Sequence, residues 1–265
     1  MIQGLGNEWT ITPAGGSTGD AYSAQHNEKR LFLKRNSSPF IAVLSAEGIV
    51  PKLVWTKRLE NGDVITAQKW LEGRALTARE MKLERVAHLL SKIHHSTELL
   101  DLFMRMGKKP LEPETIFIQL KNKYQNNSEF ANIDYHKALK FLNKYMHAVL
   151  GQRKVVCHCD VNHNNWMLGT DDHLYLIDWD NAVISDPAAD IGMILHLYIP
   201  ISEWDNWLET YGIKKDEQLM TRIYWYVLAQ ALHFIYWHTE RKEEKQLLFW
   251  QKILHETLNH TAIIY

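Results

Sequence analysis

The stretch V-V-C-H-C-D-V-N-H-N-N-W-M-L-G-T-D-D-H-L-Y-L-I-D-W-D, residues 155–180, decides how the rest of the chain is read. A short apolar run leads into a loop dense in polar side chains, and a second β-prone run then ends on a carboxylate. Asp160 is followed five positions later by Asn165 and eighteen positions later by Asp178. Magnesium-dependent phosphoryl transfer from ATP asks for these residue types at such spacing. One carboxylate accepts the proton of the attacking hydroxyl, while an amide and a second carboxylate hold the metal ions that bridge the phosphates. Asp160 is therefore the candidate catalytic base, and Asn165 and Asp178 are the candidate magnesium ligands. The same stretch offers a rival zinc set in Cys157, His158, Cys159 and His163. It lacks the second ligand pair at zinc-finger spacing, which favours the acids.

Upstream, the first third reads as a small antiparallel sheet. Strands are expected over 9–13, 21–26, 30–35, 53–59 and 64–70, the last two joined by Asn61-Gly62, a strong hairpin signal. The turn 14–20 carries Gly15, Gly16, Ser17, Thr18 and Gly19, and a glycine-rich turn between strands lets backbone N–H groups approach phosphates. No G-x-x-x-x-G-K-[ST] occurs, so this is not a Walker loop. Lys34 ends the run Leu31-Phe32-Leu33, one strand beyond that turn, within reach of α- and β-phosphates. Glu47 lies in the helix-like segment 40–50 and is the candidate ion-pair partner of Lys34. The segment from Gln68 through Trp70 to Gly73 reads as a hinge whose backbone would meet an adenine edge.

From Thr77 the periodicity becomes helical, with Leu83, Val86, Ala87, Leu90 and Ile93 on one face and His94 beside them. Asp186-Pro187 is a helix start, and Asp190 falls in the first turn. The final 60 or so residues are helical and rich in aromatics. Trp204 and Trp207, interleaved with Asp205 and Glu209, form a candidate acceptor wall by ring stacking or as a cation–π box.

Composition narrows the partners. With 30 basic and 31 acidic residues among 265, no basic footprint calls for nucleic acid. The most apolar segment, 223–229, is far short of the roughly 20 residues of a membrane span, so no membrane insertion is expected. The opening M-I-Q-G-L-G-N-E-W has no basic region followed by an apolar core, so no signal peptide is expected. Cys157 and Cys159, alternate residues of an extended run, are poorly placed for a disulfide, and a cytoplasmic setting is expected.

H-x-D-x-x-x-x-N (His158, Asp160, Asn165), I-D-W-D (177–180) and P-x-x-D (Pro187, Asp190) together resemble the aminoglycoside phosphotransferase and choline kinase branch of the protein-kinase-like fold. The order of glycine turn, Lys34, Glu47, hinge and the L-x-x-I-H ending at His94 agrees. More closely, the chain is similar to the small Gram-positive phosphotransferases of the YtmP and CcrZ type. The resemblance implies an α+β, two-lobed fold, with residues 1–70 as a sheet lobe covering ATP and 71–265 as a helical lobe carrying the catalytic loop. It implies ATP and magnesium as cofactors and a small-molecule hydroxyl as acceptor, a sugar or (deoxy)nucleoside first, with choline or an aminoglycoside as the alternative. It also implies a cell-cycle role with the division protein FtsZ as a partner, and in its extreme form a scaffold without turnover. In this frame His158 and Asp190 support the loop from behind, and Asp180 is placed to touch a second metal or the acceptor. Two departures are plain. Asn162 stands where protein kinases carry a lysine, and only residues 181–185 separate Asp180 from the next helix start, too few for a protein-substrate platform.

Overall fold

The computed structural model describes residues 8–14, 20–125 and 133–264. Five strands, β1 (Thr10–Pro13), β2 (Ala21–His26), β3 (Lys29–Arg35), β4 (Leu53–Arg58) and β5 (Val64–Lys69), make an antiparallel sheet in the order β1-β2-β3-β5-β4. Register follows the period of two. Leu31, Leu33, Ile65 and Ala67 point to one face and, with Ala24, form a small core of their own. The alternate residues, Phe32, Lys34 and Gln68, point to the other face and line a cleft. Side-chain alternation on β3 is thus what aims Lys34 inward.

Helix α1 (Ile41–Ala46) breaks into this sheet between β3 and β4, yet its Leu44, with Phe40, Ile49 and Val50, belongs to the larger helical core. Phe40 meets Phe103 edge-on at 4.7 Å and Trp179 at 6.0 Å. The chain leaves the sheet through β6 (Gly73–Ala75), which pairs with β8 (Trp166–Gly169). A Cβ on Gly73 would lie 2.2 Å from the Leu168 carbonyl oxygen, so only glycine allows this approach.

The helical part runs through α2 (Glu84–His95), α3 (Thr97–Arg105), α4 (Pro113–Gln125), α5 (Ile133–Lys144) and α6 (Met146–Val149) to the stretch 155–180. There β7 (Val155–Cys157) pairs with β10 (Val183–Ser185), and β8 pairs with β9 (Leu174–Leu176), so both loops of the stretch hang from short ladders. Beyond it lie α7 (Ala188–Tyr198), α8 (Trp204–Tyr211), α9 (Glu217–Glu240) and α10 (Glu244–Ile264). The apolar face expected on α2 is buried at Val86, Ala87, Leu90 and Ile93, but Leu83, expected on the same face, stands ahead of the helix as its N-cap and is exposed. Helix α9 is buried on most of its circumference, which places it at the centre of the bundle. Among the described residues no helix is long and apolar enough to cross a membrane.

Helix α7 carries Asp190 and is buried from Ala188 through Leu195. Its close fit against α9 depends on Gly192, where a Cβ would lie 2.8 Å from Val227 Cγ2 and 3.3 Å from the Ile223 carbonyl oxygen. Alanine favours a helix over glycine by about 1 kcal/mol, while overpacking a core costs about 1–3 kcal/mol. The close backbone carbonyl tips the balance toward the clash. Gly192→Ala should lower stability by about 1–2 kcal/mol, read as a lower urea midpoint; an unchanged or raised midpoint would show that the two helices part freely.

Candidate functional site

The polar loop between β7 and β8 is held by one buried carboxylate. Asp190 is fully buried; its Oδ2 accepts the backbone N–H of His158 at 2.7 Å, and its Oδ1 accepts that of Cys159 at 2.8 Å. His94 Nε2 donates to the same carboxylate at 3.1 Å and its Nδ1 pairs with the Tyr211 hydroxyl at 2.8 Å. Despite burial, which acts the other way, the His94 partnership and the charges and N–H groups around it keep the Asp190 pKa below its usual value. A carboxylate surrounded by donors is an anchor, and here it fixes the backbone two residues before Asp160.

His158 joins the two loops. Its Nε2 donates to the Ile177 carbonyl at 2.9 Å, and its Nδ1 accepts the Asp160 N–H at 3.2 Å. The Asn165 carbonyl accepts the Ile177 N–H at 2.9 Å, closing the same seam. Two residues of this seam adopt left-handed backbone, Cys159 at φ 61° and Asp178 at φ 64°, and Asp178 lines the cleft. Such conformations cost an L residue about 1–2 kcal/mol and persist where surrounding bonds over-determine them.

From this frame Asn165, Asp178 and Asp180 reach into one cleft, with Asp160 on the same loop as Asn165. Asn165 Nδ2 is spent on the Asp160 carbonyl at 2.8 Å, leaving its amide oxygen as the free end. Asp160 Oδ1 accepts the Asn162 amide, which fills the orienting place that a lysine would take. Across the cleft, Lys34 Nζ donates to both oxygens of Asp180 at 2.8 Å and lies 3.6 Å from Asp178. Amide and carboxylate oxygens are the donor set that magnesium prefers, so Asn165 Oδ1 and Asp178, with Asp180 beside them, fit that ion. The cleft has a volume of about 360 Å³ and is floored by Val50, Met167 and Ile177, with Ala21, Phe32, Gln68, Trp70 and Leu71 around them. An apolar slot ending in acids and one lysine suits a flat base with a phosphate tail.

Several sequence expectations land elsewhere. Glu47 does not pair with Lys34. It sits at the C-terminal end of α1, where its carboxylate accepts the Ser96 hydroxyl at the start of α3, while the lysine turns to Asp180. Trp204 and Trp207 are 2% and 3% exposed, packed within the helical core, with Trp204 Nε1 donating to the Ile199 carbonyl at 2.9 Å. They offer no ring face to an acceptor, because the segment after Pro200 turns its indoles inward as α8 packs on α2. Gln68 and Trp70 do line the cleft, but the N–H groups of Lys69 and Trp70 are already bonded to the Lys52 and Arg30 carbonyls. Gly15, Gly16, Ser17, Thr18 and Gly19 lie outside the described residues. The zinc set is not assembled. Among the described residues the one metal-like cluster is His94, Cys157 and Asp190, and burial pushes the Cys157 thiol well above its ordinary pKa.

Asn162 and Tyr198 were missed. Asn162 Oδ1 also caps the 3₁₀ turn His163–Asn165 by accepting the Asn164 N–H, and the Tyr198 hydroxyl accepts the His163 N–H at 3.1 Å. The cap was legible as an asparagine just ahead of a turn; the tyrosine, 35 positions away, was not.

The His158 contacts require a neutral ring, since Nδ1 must accept. Burial lowers the His158 pKa, and burial lowers that of His196 on α7 to about 4. Unfolded, both titrate near 6.5. Below that pH the unfolded chain binds more protons than the folded one. Stability therefore falls with falling pH by about 1.4 kcal/mol per unit for each histidine, until the folded pKa is reached. Urea midpoints should drop steadily from about pH 7 to about pH 5, and His196→Gln should flatten the slope; a midpoint indifferent to pH would refute the neutral-ring assignment.

Comparison with known proteins gives the same outline. The model of the phosphotransferase enzyme family matches residues 10–226. The chain is similar in structure to choline kinase LicA from Streptococcus pneumoniae, with a TM-score of 0.68 and 18% identity over 96% of this chain and 95% of that one. LicA in complex with AMP gives a TM-score of 0.63 and 19% identity over 96% and 94% of the two chains. The GDP complex of aminoglycoside 2'-phosphotransferase-IIIa gives 0.68 and 13% identity over 95% and 93%.

Proposed function

The chain belongs to the phosphotransferase enzyme family, and from that premise we propose that it transfers the γ-phosphoryl group of ATP, with magnesium, to a hydroxyl of a small molecule. The observation that carries this is the meeting of Lys34, Asn165, Asp178 and Asp180 at the end of an apolar cleft, with Asp160 five residues from Asn165 on the same held loop. Val50, Met167 and Ile177 would hold the adenine, and Lys34 would meet the phosphates. Magnesium held by Asn165 Oδ1 and Asp178 would offset charge on the phosphate oxygens. Asp160, oriented by Asn162, receives the acceptor hydroxyl and takes its proton as the bond to phosphorus forms. Its backbone is fixed through Asp190 and His158, so positioning does not wait on substrate.

For the acceptor, a neutral sugar or (deoxy)nucleoside is the reading favoured over choline or an aminoglycoside. Trp204 and Trp207 are buried and serve neither a ring stack nor a cation–π box, so this preference rests on the resemblance to the YtmP and CcrZ type. A polycationic acceptor wants an acidic excess, and the net charge is −1. The short link from Asp180 to α7 also favours a small molecule over a protein substrate.

An ATP-consumption screen of the purified protein against nucleosides, sugars, choline and aminoglycosides tests the assignment. Asp160→Asn should keep ATP affinity while turnover falls by about 10²–10⁴-fold; a variant that still turns over at the wild-type rate removes Asp160 from the role of base. Asp178→Asn should weaken Mg·ATP binding with the fold intact, and unchanged affinity in calorimetry would move the metal elsewhere. Should no acceptor support transfer while a division protein such as FtsZ binds, the scaffold reading replaces the enzyme.

A further inference from the structure

Lys34 has no glutamate partner from α1, and two carboxylates of the metal-binding turn hold it instead. Its ammonium makes an evenly divided contact with Asp180, 2.8 Å to each oxygen, and a longer one with Asp178 at 3.6 Å. The pair stands between two spaces. On one side is the apolar cleft; on the other is a cavity of about 300 Å³ lined in part by Asp20, Arg35, Phe103 and Lys108. Lys34 and Asp180 line both. The side chain of Asp180 is 54% exposed and that of Asp178 55%, so water and ions reach the pair, and it contributes little to folding. A contact that is worth little to stability and closes the phosphate end of the cleft is suited to exchange.

We propose that Asp180 is the gate that makes nucleotide binding depend on a divalent cation, with the cleft taken as the nucleotide site proposed above. In the empty protein Asp180 holds the ammonium that the phosphates need. Two carboxylates against one ammonium leave this set of three with one negative charge in excess. A metal-free nucleotide that draws Lys34 away would leave Asp178 and Asp180 uncompensated beside its own phosphates, and like charges at that range repel. With a divalent cation on the acids, the repulsion is cancelled and the lysine is released to the phosphates. Asp180 acts here through Lys34, as a positioning residue, and asparagine at 180 would keep the shape of the turn while removing the hold.

The test is ADP binding to the full chain by calorimetry, in EDTA and in magnesium. The wild type should bind ADP at least tenfold more weakly in EDTA. Asp180→Asn should bind metal-free ADP several-fold more tightly than wild type, shrinking the ratio between the two conditions, and Lys34→Met in the Asp180→Asn background should abolish that gain. Equal or weaker metal-free affinity in Asp180→Asn, with magnesium-bound affinity retained, overturns the gate and leaves the phosphotransferase reading standing. Failure of the wild type to bind ADP in either condition sinks both. A second measurement needs no variant. Acylation of Lys34 in the nucleotide-free wild type, followed by peptide mass spectrometry, should rise on adding magnesium alone, compared with sodium at matched ionic strength. Unchanged labelling would mean that the cation does not free the lysine.

Discussion

The structure turns on a carboxylate that no substrate touches. Asp190 gives up all contact with water, and a lone buried charge would be intolerable. It persists because two consecutive N–H groups and an imidazole meet it at hydrogen-bond distance. Removing one partner of such a set typically costs about 3–5 kcal/mol. That cost is what makes the backbone of His158 and Cys159 rigid. From there the order propagates by short steps: His158 to Ile177, Asn165 to Ile177, Asn165 to Asp160. The first two steps tie loop 158–165 to the turn that begins at Ile177, and the third braces the loop from within, so the arrangement rests on the relation between two loops rather than on either one.

Charge at the mouth of the cleft is arranged on the opposite plan. Lys34, Asp178 and Asp180 are partly in water, bonded to one another and replaceable. Deep groups fix geometry and shallow groups stay exchangeable. The division follows from dielectric: a buried pair resists exchange because separating it strands charge, while a half-exposed pair parts at small cost.

Much of this was legible in order and little of it in partnership. The strand over 21–26 and most of the apolar face of α2 follow from local pattern; the five strands came out within a residue, while the helix read over 40–50 spans only Ile41–Ala46. That Asn165 and Asp178 would share a cleft was readable because their spacing lies within one supersecondary unit. The partner of Lys34 was not, since Asp180 is 146 positions away and Glu47 only 13, and nothing local says which way a carboxylate on a six-residue helix turns. Trp204 and Trp207 went wrong for a related reason. An aromatic beside acids reads the same whether the ring faces water or core, and only the packing of α8 against α2 separates the two.

The allegiance of α1 has a mechanical consequence. Its Leu44 and neighbouring Phe40 are seated in the core of the helical part, Leu176 donates to the Ile49 carbonyl at 3.0 Å, and Phe40 touches both Phe103 and Trp179. The sheet's own core holds none of them. If the jaw of this molecule widens, the five strands would swing as a plate while α1 stays bolted to the lower block, and the shear would fall across the two connections that flank the helix. Lys34, riding on the plate, would then be measured against acids on the block, so its contact with Asp180 doubles as a latch that records whether the jaw is shut.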